Sequence, residues 1–278
     1  MRNSNFDTRI EKKYQVGIAE SGVAELWRFL NGLLRPYGLV PVQEITSVGS
    51  VYYDNRSCDL LRYSLLGRLF IVRVRAYETY GRPPEPLSEY WVEVKTAAGD
   101  LRKKKRFPLT KRGLVEFLEG KEPGESLFGS NGNGAAGNGA CELYRETQET
   151  VFTMGLKPVL LVACKRVAFQ SSSERLSIDW DVKYYPVSAN VFECDSWKDI
   201  VEEPAGRADK VIMEVKSLRG GIPEWLNELQ QRYPIRRREY LKPIEGMGFL
   251  FHGPLSYHQE AKTFSAMIES YMINSENP

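Results

Sequence analysis

The chain has 278 residues, of which 42% are hydrophobic and 27% are charged, so it is long and apolar enough to bury a complete core. Its 38 Lys and Arg residues balance 36 Asp and Glu residues to a net charge of +2, which is too even for binding nucleic acid through bulk charge. The N-terminal residues lack the apolar stretch of a secretory signal, and no apolar run is long enough to cross a bilayer. We therefore expect a cytoplasmic protein with no specific nucleic-acid partner and no transmembrane segment, while a peripheral membrane or protein partner stays open.

The spacing of apolar residues predicts the elements in chain order. Alternation with a period of two predicts strands at 9–16, 47–54, 68–77, 89–96, 101–107, 159–170, 175–184 and 210–217, and a short basic extended segment at 235–241. Helical spacing predicts helices at 20–34, 110–118, 141–154, 223–232 and 256–271, with a helical or irregular bridge at 58–66. The strands mostly follow one another without intervening helices, which favours an antiparallel sheet and an α+β class.

A low-complexity run, GSNGNGAAGNG, lies at 129–139. It contains a formal GxGxxG at Gly132, Gly134 and Gly137, but a dinucleotide loop needs a strand before it and a helix start after it. Only Gly and Asn spacer flanks the match, so we interpret the run as a linker. The chain is expected to be a single domain over 1–278 with a flexible Gly/Asn-rich insert at about 121–140.

Charged residues alternate with apolar residues inside the predicted strands. Arg73 and Arg75 share one face of their strand, opposite Val72 and Val74, and the same geometry separates polar from apolar positions in the other strands. The E-x-K pattern occurs at Glu11/Lys13, Glu93/Lys95 and Glu214/Lys216.

In any single strand, a charged face that meets water would explain this pattern. Taken together the strands favour another interpretation, because the amphipathic helices need apolar surface to cover. If they cover the apolar faces, the charged faces must line something else, and closing the sheet makes that a lumen. In each of the basic runs at 102–106 and 236–238, about half of the side chains then face the lumen and the others lie at a solvated strand edge.

The residues assigned to this lumen carry an excess of positive charge, which suits a polyanion, and guanidinium with ammonium groups is the usual phosphate clamp. Carboxylates among them suit Mg²⁺ or Mn²⁺, which prefer oxygen ligands and bridge phosphates. The basic positions are Lys13, Arg73, Arg75, Lys95, Lys104, Arg106, Arg166, Arg175 and Lys216. The acidic positions are Glu11, Glu93, Asp179, Asp181 and Glu214.

With these residues the chain resembles the triphosphate tunnel metalloenzymes (CYTH-like), and among them the polyphosphate polymerase domain of the vacuolar transporter chaperone (VTC) type. The matching segments occur in family order at 11–14, 50–54, 73–75, 93–95, 104–107, 165–169, 175–179 and 214–216.

The resemblance implies an eight-stranded antiparallel β-barrel with helices packed around the outside and a triphosphate inside. It implies transfer of the terminal phosphoryl group of ATP to a growing polyphosphate chain, with catalysis by positioning and charge neutralisation. The residues expected to be catalytic are Lys13, Arg73, Arg75, Lys95 and Lys216. The residues expected to bind substrate are Lys104, Arg106, Arg166, Arg175 and Arg238. Glu214 is expected to carry Mn²⁺ or Mg²⁺, with Glu11, Glu93 and Asp179 as further metal ligands.

Two departures from the family pattern bear on the activity. The related hydrolases carry ExExK on the first strand, whereas this chain has Arg9 at the first acidic position, which favours the polymerase branch. The Ser-Lys-Tyr/Phe element of the last strand is also absent, and its basic role falls to Arg236, Arg238 or Lys242. The alternatives are a metal-dependent tripolyphosphatase or nucleoside triphosphatase, and a sensor that binds polyphosphate without turnover.

Overall fold

A computed structural model describes residues 10–42, 44–81, 87, 89–98, 101–129, 138–187, 191–193, 203–218 and 221–275. Arg9, most of the Pro-rich stretch between the third and fourth predicted strands, and most of the Gly/Asn run lie outside the described residues.

The described residues form eleven strands, including two short strands that the periodicity did not predict, β2 and β9. They are β1 (Ile10–Val16), β2 (Val40–Pro41), β3 (Thr46–Asp54), β4 (Phe70–Thr79), β5 (Tyr90–Ala98), β6 (Leu101–Leu109), β7 (Lys157–Gln170), β8 (Glu174–Pro186), β9 (Gly206–Ala208), β10 (Val211–Ser217) and β11 (Ile235–Arg237).

Within the described ranges, seven α-helices lie between and after the strands. They are α1 (Val23–Leu33), α2 (Asp59–Leu65), α3 (Lys111–Leu118), α4 (Asn138–Thr153), α5 (Glu224–Arg232), α6 (Lys242–His252) and α7 (Ala261–Asn274). Local signals fix some of their ends: the Thr110 hydroxyl accepts a hydrogen bond from the Gly113 amide at 3.0 Å and caps α3.

All strands belong to one antiparallel sheet, in the order β11-β1-β10-β8-β7-β3-β4-β5-β6, with β2 beside β7 and β9 beside β8. The predicted α+β class and the antiparallel sheet wrapped by helices are therefore confirmed. The sheet has more strands than the eight expected, and among the described residues no strand pairing joins its two ends into a ring.

Two apolar cores cover the outer face of this sheet. On β5 and β6, Val92 and Phe107 pack with Phe117 of α3 and Tyr144 of α4, where neighbouring rings meet edge to face. A second core joins α1 and α5 to β1, β7, β8 and β10. Burial of each large side chain contributes roughly 1.5–3 kcal/mol, so these helices are held on the outside, and the charged positions of the same strands face inward.

The third core lies on the inner face, which was not expected. At one end of the sheet, Val48 of β3 and Val162 of β7 pack with Ile244, Met247 and neighbouring residues of α6. Helix α6 thus fills one end of the space that the charged faces line further along the strands.

The strand β8 changes face at Asp181, which has a positive φ of 50° beside an irregular register with β7. Trp180 belongs to an outer core, whereas Val182 belongs to the inner core. The prediction that Asp181 continues the inner polar face is therefore wrong, because the bulge turns its carboxylate to Lys165 and Lys183 at 3.1 and 3.0 Å.

The prediction for the C-terminal segment was also wrong in part. A single helix was expected at 256–271, but the structure has α6 before it and begins α7 at Ala261. The sequence of α6 contains Pro243, Gly246 and Gly248, and glycine disfavours a helix by about 1 kcal/mol. A Cβ at Gly246 would lie 2.6 Å from the Tyr184 ring, so glycine is needed for the close contact with the sheet.

Candidate functional site

The inner face brings together the predicted charged residues from both halves of the sheet. Cross-strand pairing places Glu11 opposite Lys216 and Lys13 opposite Glu214, and on the other half Arg73 lies opposite Glu93. Other predicted residues lie at inner positions of the same sheet: Arg75, Lys95, Lys104, Arg106, Arg166, Arg175 and Asp179. Arg238 directly follows β11, and its backbone amide donates to the Lys13 carbonyl. We call this set of residues the inner charged cluster.

The two halves of the sheet face one another across this cluster. Lys95 on β5 interacts electrostatically with Lys216 on β10 and Glu11 on β1, and Arg175 on β8 interacts with Arg106 on β6. Strands that are far apart in the hydrogen-bonded order are therefore close in space. The sheet must curl, and the curl gathers cations from every long strand around a common interior.

Glu93 is a hub for the cations of β4 and β6. Its side chain is fully buried, its Oε2 accepts hydrogen bonds from Nε of Arg73 at 2.7 Å and from Nη2, and its Oε1 lies 2.6 Å from Nζ of Lys104. Burial opposes ionisation, but Arg73 and Arg75 hold the pKa of Glu93 well below its ordinary value. Glu93 is therefore an ionised carboxylate that already holds two cations.

Polar groups of the neighbouring strand β3 orient the two arginines of β4. Nη1 of Arg73 donates to the Tyr52 hydroxyl at 3.1 Å, and Nε of Arg75 donates to the Ser50 hydroxyl at 2.9 Å. Both arginines are buried. Tyr52 and Ser50 were not singled out as site residues from the sequence, although they lie in a segment that matched the family. Their alternation with apolar residues could have placed them on the inner face.

Asp179 is the second fully engaged carboxylate. It accepts two hydrogen bonds from Arg166, at 2.6 and 2.7 Å, and it also forms an ion pair with Lys242 at the start of α6. Burial would raise its pKa, but Arg166 and Lys242 lower the pKa of Asp179 below its ordinary range. From the sequence, Lys242 was one of three candidates for the basic role of the last-strand element. The alternating pattern could not single it out, because Lys242 lies outside the predicted strands.

Glu11 and Glu214 form a pair of carboxylates on adjacent strands. Nζ of Lys216 lies 3.2 Å from Glu11 and 2.9 Å from Glu214, and Nζ of Lys13 lies 3.4 Å from Glu11. Burial works against ionisation of Glu214, but Lys216 and Lys13 hold its pKa well below the ordinary value. The pKa of Glu11 is also lowered, because Lys13 and Lys216 outweigh burial and the repulsion of Glu214. Both carboxylates are therefore ionised at neutral pH.

Lys95 and Arg175 are cations of the cluster that have no ion pair in the part of the chain that the structure describes. Among the described residues, no salt bridge to Lys95 or Arg175 is found, and Arg175 donates only to the Gln170 amide oxygen, at 3.2 Å. Burial and the adjacent Arg73 lower the pKa of Lys95 well below its usual range. Burial and Arg166 likewise lower the pKa of Arg175. A bound anion would relieve this repulsion.

The remaining predicted residues lie toward the edges of the cluster. Arg106 stacks on Trp91 with its guanidinium 4.3 Å from the ring centroid, and about half of its side chain is exposed. Nη1 of Arg238, which follows β11, donates to the Gln15 side chain at 2.6 Å. Nζ of Lys13 donates to the Tyr240 carbonyl at 2.8 Å, which ties the segment after β11 to the site.

The donor set is compatible with a hard divalent cation. Among the described residues, no group of three or more His, Cys, Asp or Glu side chains forms a complete metal cage. Mg²⁺ and Mn²⁺ commonly use only one or two carboxylates and take their other ligands from phosphates and water. The ionised carboxylates of Glu11 and Glu214 fit that requirement, because they lie on adjacent strands and pair with lysines at 2.9–3.4 Å, whereas Arg73 and Arg166 hydrogen-bond Glu93 and Asp179.

The fold and the site define an α+β domain whose curled antiparallel sheet surrounds a strongly basic interior. A model of the VTC domain matches residues 8–250, and the chain belongs to this family.

Sequence relatives support that assignment. Subunit 4 of the vacuolar transporter chaperone complex from Trypanosoma brucei brucei is 28% identical over 239 residues, which cover 77% of this chain and 30% of the relative. The Schizosaccharomyces pombe subunit 4 is 26% identical over 243 residues, with 76% of this chain and 32% of the relative covered. The chain thus spans about a third of the length of these curated relatives.

Among solved structures, HpAC1 from Hippeastrum, a protein described by a dominant triphosphatase activity, aligns with a TM-score of 0.47 and 12% identity. The alignment covers 86% of this chain and 95% of that chain. In the described part of this chain, no helix has both the length and the apolar character needed to cross a membrane.

Proposed function

We propose that this domain binds a nucleoside triphosphate in the inner charged cluster and transfers its terminal phosphoryl group to a polyphosphate chain. The observation that carries the proposal is the surplus of inward-facing cations, above all Lys95 and Arg175, which repel neighbouring cations in the absence of a ligand. A chain of phosphates supplies several negative charges along a line, which matches cations contributed by successive strands. Membership of the VTC-domain family supports the same substrate class.

The side chains of the cluster would act by position and charge. Arg73 and Arg75 are held by Glu93 and Ser50, so their guanidinium groups are fixed before a substrate arrives. Phosphoryl transfer spreads charge over the equatorial oxygens of the moving group, and fixed cations stabilise that charge without reorganisation. The bond to the terminal phosphorus of ATP breaks, a terminal oxygen of the polyphosphate acceptor bonds to that phosphorus, and ADP is the leaving group.

We assign the metal to Glu214 and Glu11. Both carboxylates are ionised at neutral pH and lie on adjacent strands next to Lys13 and Lys216. A bound Mn²⁺ or Mg²⁺ would neutralise charge on the phosphate oxygens and help to orient them. In this proposal Glu93 and Asp179, which were expected as metal ligands, instead position cations of the cluster.

A triphosphatase is the second candidate, and one observation favours it. Because α6 fills one end of the interior, a growing chain cannot pass straight through that end in this conformation. A hydrolase needs only one mouth, since its products are short.

The test is to incubate the purified domain with ATP and Mn²⁺ and separate the products on a gel that resolves polyphosphate from free phosphate. A ladder supports the polymerase, free phosphate alone supports the hydrolase, and binding of polyphosphate without either product supports a sensor. Lys104→Met and Lys105→Met form a matched pair, because the two residues are adjacent on β6 and face opposite sides. Only Lys104→Met should reduce turnover; equal loss in both would contradict the assignment of the inner face.

A further inference from the structure

Helix α6 seals one end of the interior with apolar side chains. Ile244, Met247 and Leu250 are buried there against β3, β7 and β8. Gly246 permits the close approach, since a Cβ at this position would lie 2.7 Å from the Leu160 side chain. A hydrated phosphate chain cannot replace such contacts without exposing the core.

Buried polar contacts hold α6 in place. The hydroxyls of Tyr184 and Tyr240 both donate to Oε2 of Glu245, at 2.5 and 2.6 Å, and Nζ of Lys210 lies 3.0 Å from its Oε1. Together with the ion pair between Lys242 and Asp179, these contacts anchor the first turn of α6 to the sheet. Opening this end would leave several of these buried groups without partners, which is unfavourable because they would lose their hydrogen bonds away from water.

The side wall of the interior is interrupted between the two terminal strands of the sheet, in the part of the chain that the structure describes. β6 pairs only with β5, and β11 pairs only with β1 among the described strands. Since the sheet curls until β5 and β6 approach β1, β8 and β10, these two terminal strands flank the remaining open side. We call this opening the seam.

Both edges of the seam are basic and exposed. β6 contributes Lys103, which alternation with Lys104 places on the outer face of that edge, and β11 contributes Arg236 and Arg237. All three residues are exposed to solvent. In the part of the chain that the structure describes, no salt bridge joins any of them to a carboxylate. Arg236 lies opposite Gln15 and so shares the inner face with the cluster.

On both strands the basic edge lies directly beside residues of the inner charged cluster. On the β6 side, Lys104 and Arg106 lie at inner positions of the same strand as Lys103 and are partly exposed. On the β11 side, Arg238 follows Arg236 two residues later and contacts Gln15. A polyanion that leaves the inner charged cluster over these edges would therefore contact further cations there.

We propose that a phosphate chain too long for the interior runs out through the seam between β6 and β11, rather than through the end that α6 fills. The proposal rests on phosphate binding in the inner charged cluster but not on turnover. It adds an outer binding segment for inorganic polyphosphate that a triphosphate is too short to reach.

The test compares the affinity of the full chain for tripolyphosphate with its affinity for polyphosphate of about 100 phosphates. In the seam variant, Lys103→Gln and Arg236→Gln are combined; in the control, Arg28→Gln on α1 and Lys262→Gln on α7 remove the same charge from other exposed positions. We expect the seam variant to lose about fivefold or more in long-chain affinity while tripolyphosphate binding changes less than twofold. The plot of log affinity for the long chain against log salt concentration should also become shallower. Its slope should change by roughly one to two, because the variant releases that many fewer ions when it binds the chain.

Equal long-chain affinity in the seam variant and the control would overturn the proposal, as would a parallel loss of tripolyphosphate binding. Failure of the unmodified chain to bind tripolyphosphate would instead refute the proposed function. If the double variant does not fold, Arg236→Gln alone is compared with Lys262→Gln, with an expected loss of about twofold or more in long-chain affinity only.

Discussion

Replacing Glu93 by Gln should destabilise the ligand-free domain strongly, because the fully buried carboxylate holds Arg73 and Lys104 at 2.7 and 2.6 Å. At an effective dielectric of about 20, each pair at roughly 4 Å between charges attracts by about 4 kcal/mol, which the cost of burying the carboxylate partly offsets. Removing one partner of a buried pair typically costs about 3–5 kcal/mol, because it leaves a buried charge uncompensated. We expect a loss in that range in the free energy of unfolding, measured by urea denaturation near pH 7.

Added tripolyphosphate should restore much of this loss, because its charges replace the missing carboxylate. At a ligand concentration of about 100 times the dissociation constant, binding adds about 2.7 kcal/mol of stability. The matched control is Glu146→Gln, which removes an exposed carboxylate paired with Lys105 and should change stability by less than about 0.5 kcal/mol. A loss below about 1 kcal/mol for Glu93→Gln would refute the view that Glu93 balances the cluster.

Three further outcomes follow from the same electrostatics and packing. The pKa of Lys104 is lowered to about 8 by burial against the pull of Glu93, and a lysine binds anions only while protonated. Tripolyphosphate affinity, measured by calorimetry, should therefore fall as pH rises past about 8, and Lys104→Arg should remove that step. Glu214→Gln should weaken Mn²⁺ binding in the presence of tripolyphosphate, followed by electron paramagnetic resonance, while tripolyphosphate alone still binds. Gly246→Val should lower the free energy of unfolding, measured by thermal denaturation, by about 1–3 kcal/mol or more, because the added atoms would overlap Tyr184 and Leu160.

The inner face was predictable from the sequence because strand geometry is local. Arg73 and Arg75 alternate with Val72 and Val74, and a period of two fixes which residues share a face whatever the rest of the chain does. The amphipathic helices then decided which face is outside. The same reasoning correctly placed Glu93 and its neighbours inside, but it could not say which cations each carboxylate holds.

Helix α6 and the bulge at Asp181 depend on contacts that are distant in sequence. Gly246 weakens the helix locally and is explained only by Tyr184 and Leu160, which lie far away in the chain. Asp181 keeps the alternating pattern in sequence, yet its positive φ turns the strand. In both places tertiary packing overrides the local preference, and both lie where the inner face changes from charged to apolar.

Asp179 provides a decisive check on the division of the carboxylates into metal ligands and positioning groups. Asp179→Asn leaves Arg166 and Lys242 as uncompensated cations and should cost about 3–5 kcal/mol of stability. Lys242→Met should cost less, since Arg166 still pairs with the carboxylate through two hydrogen bonds.

Because the three groups share one network, the double variant should be more stable than the sum of the single losses predicts, with a coupling of about 0.5–3 kcal/mol. Removing Lys242 along with the Asp179 charge eliminates one of the two stranded cations, which is the physical source of the coupling. Additive losses would show that Lys242 does not depend on Asp179. Loss of Mn²⁺ binding in Asp179→Asn, with Arg166 and the fold intact, would instead make Asp179 a metal ligand and would contradict its positioning role.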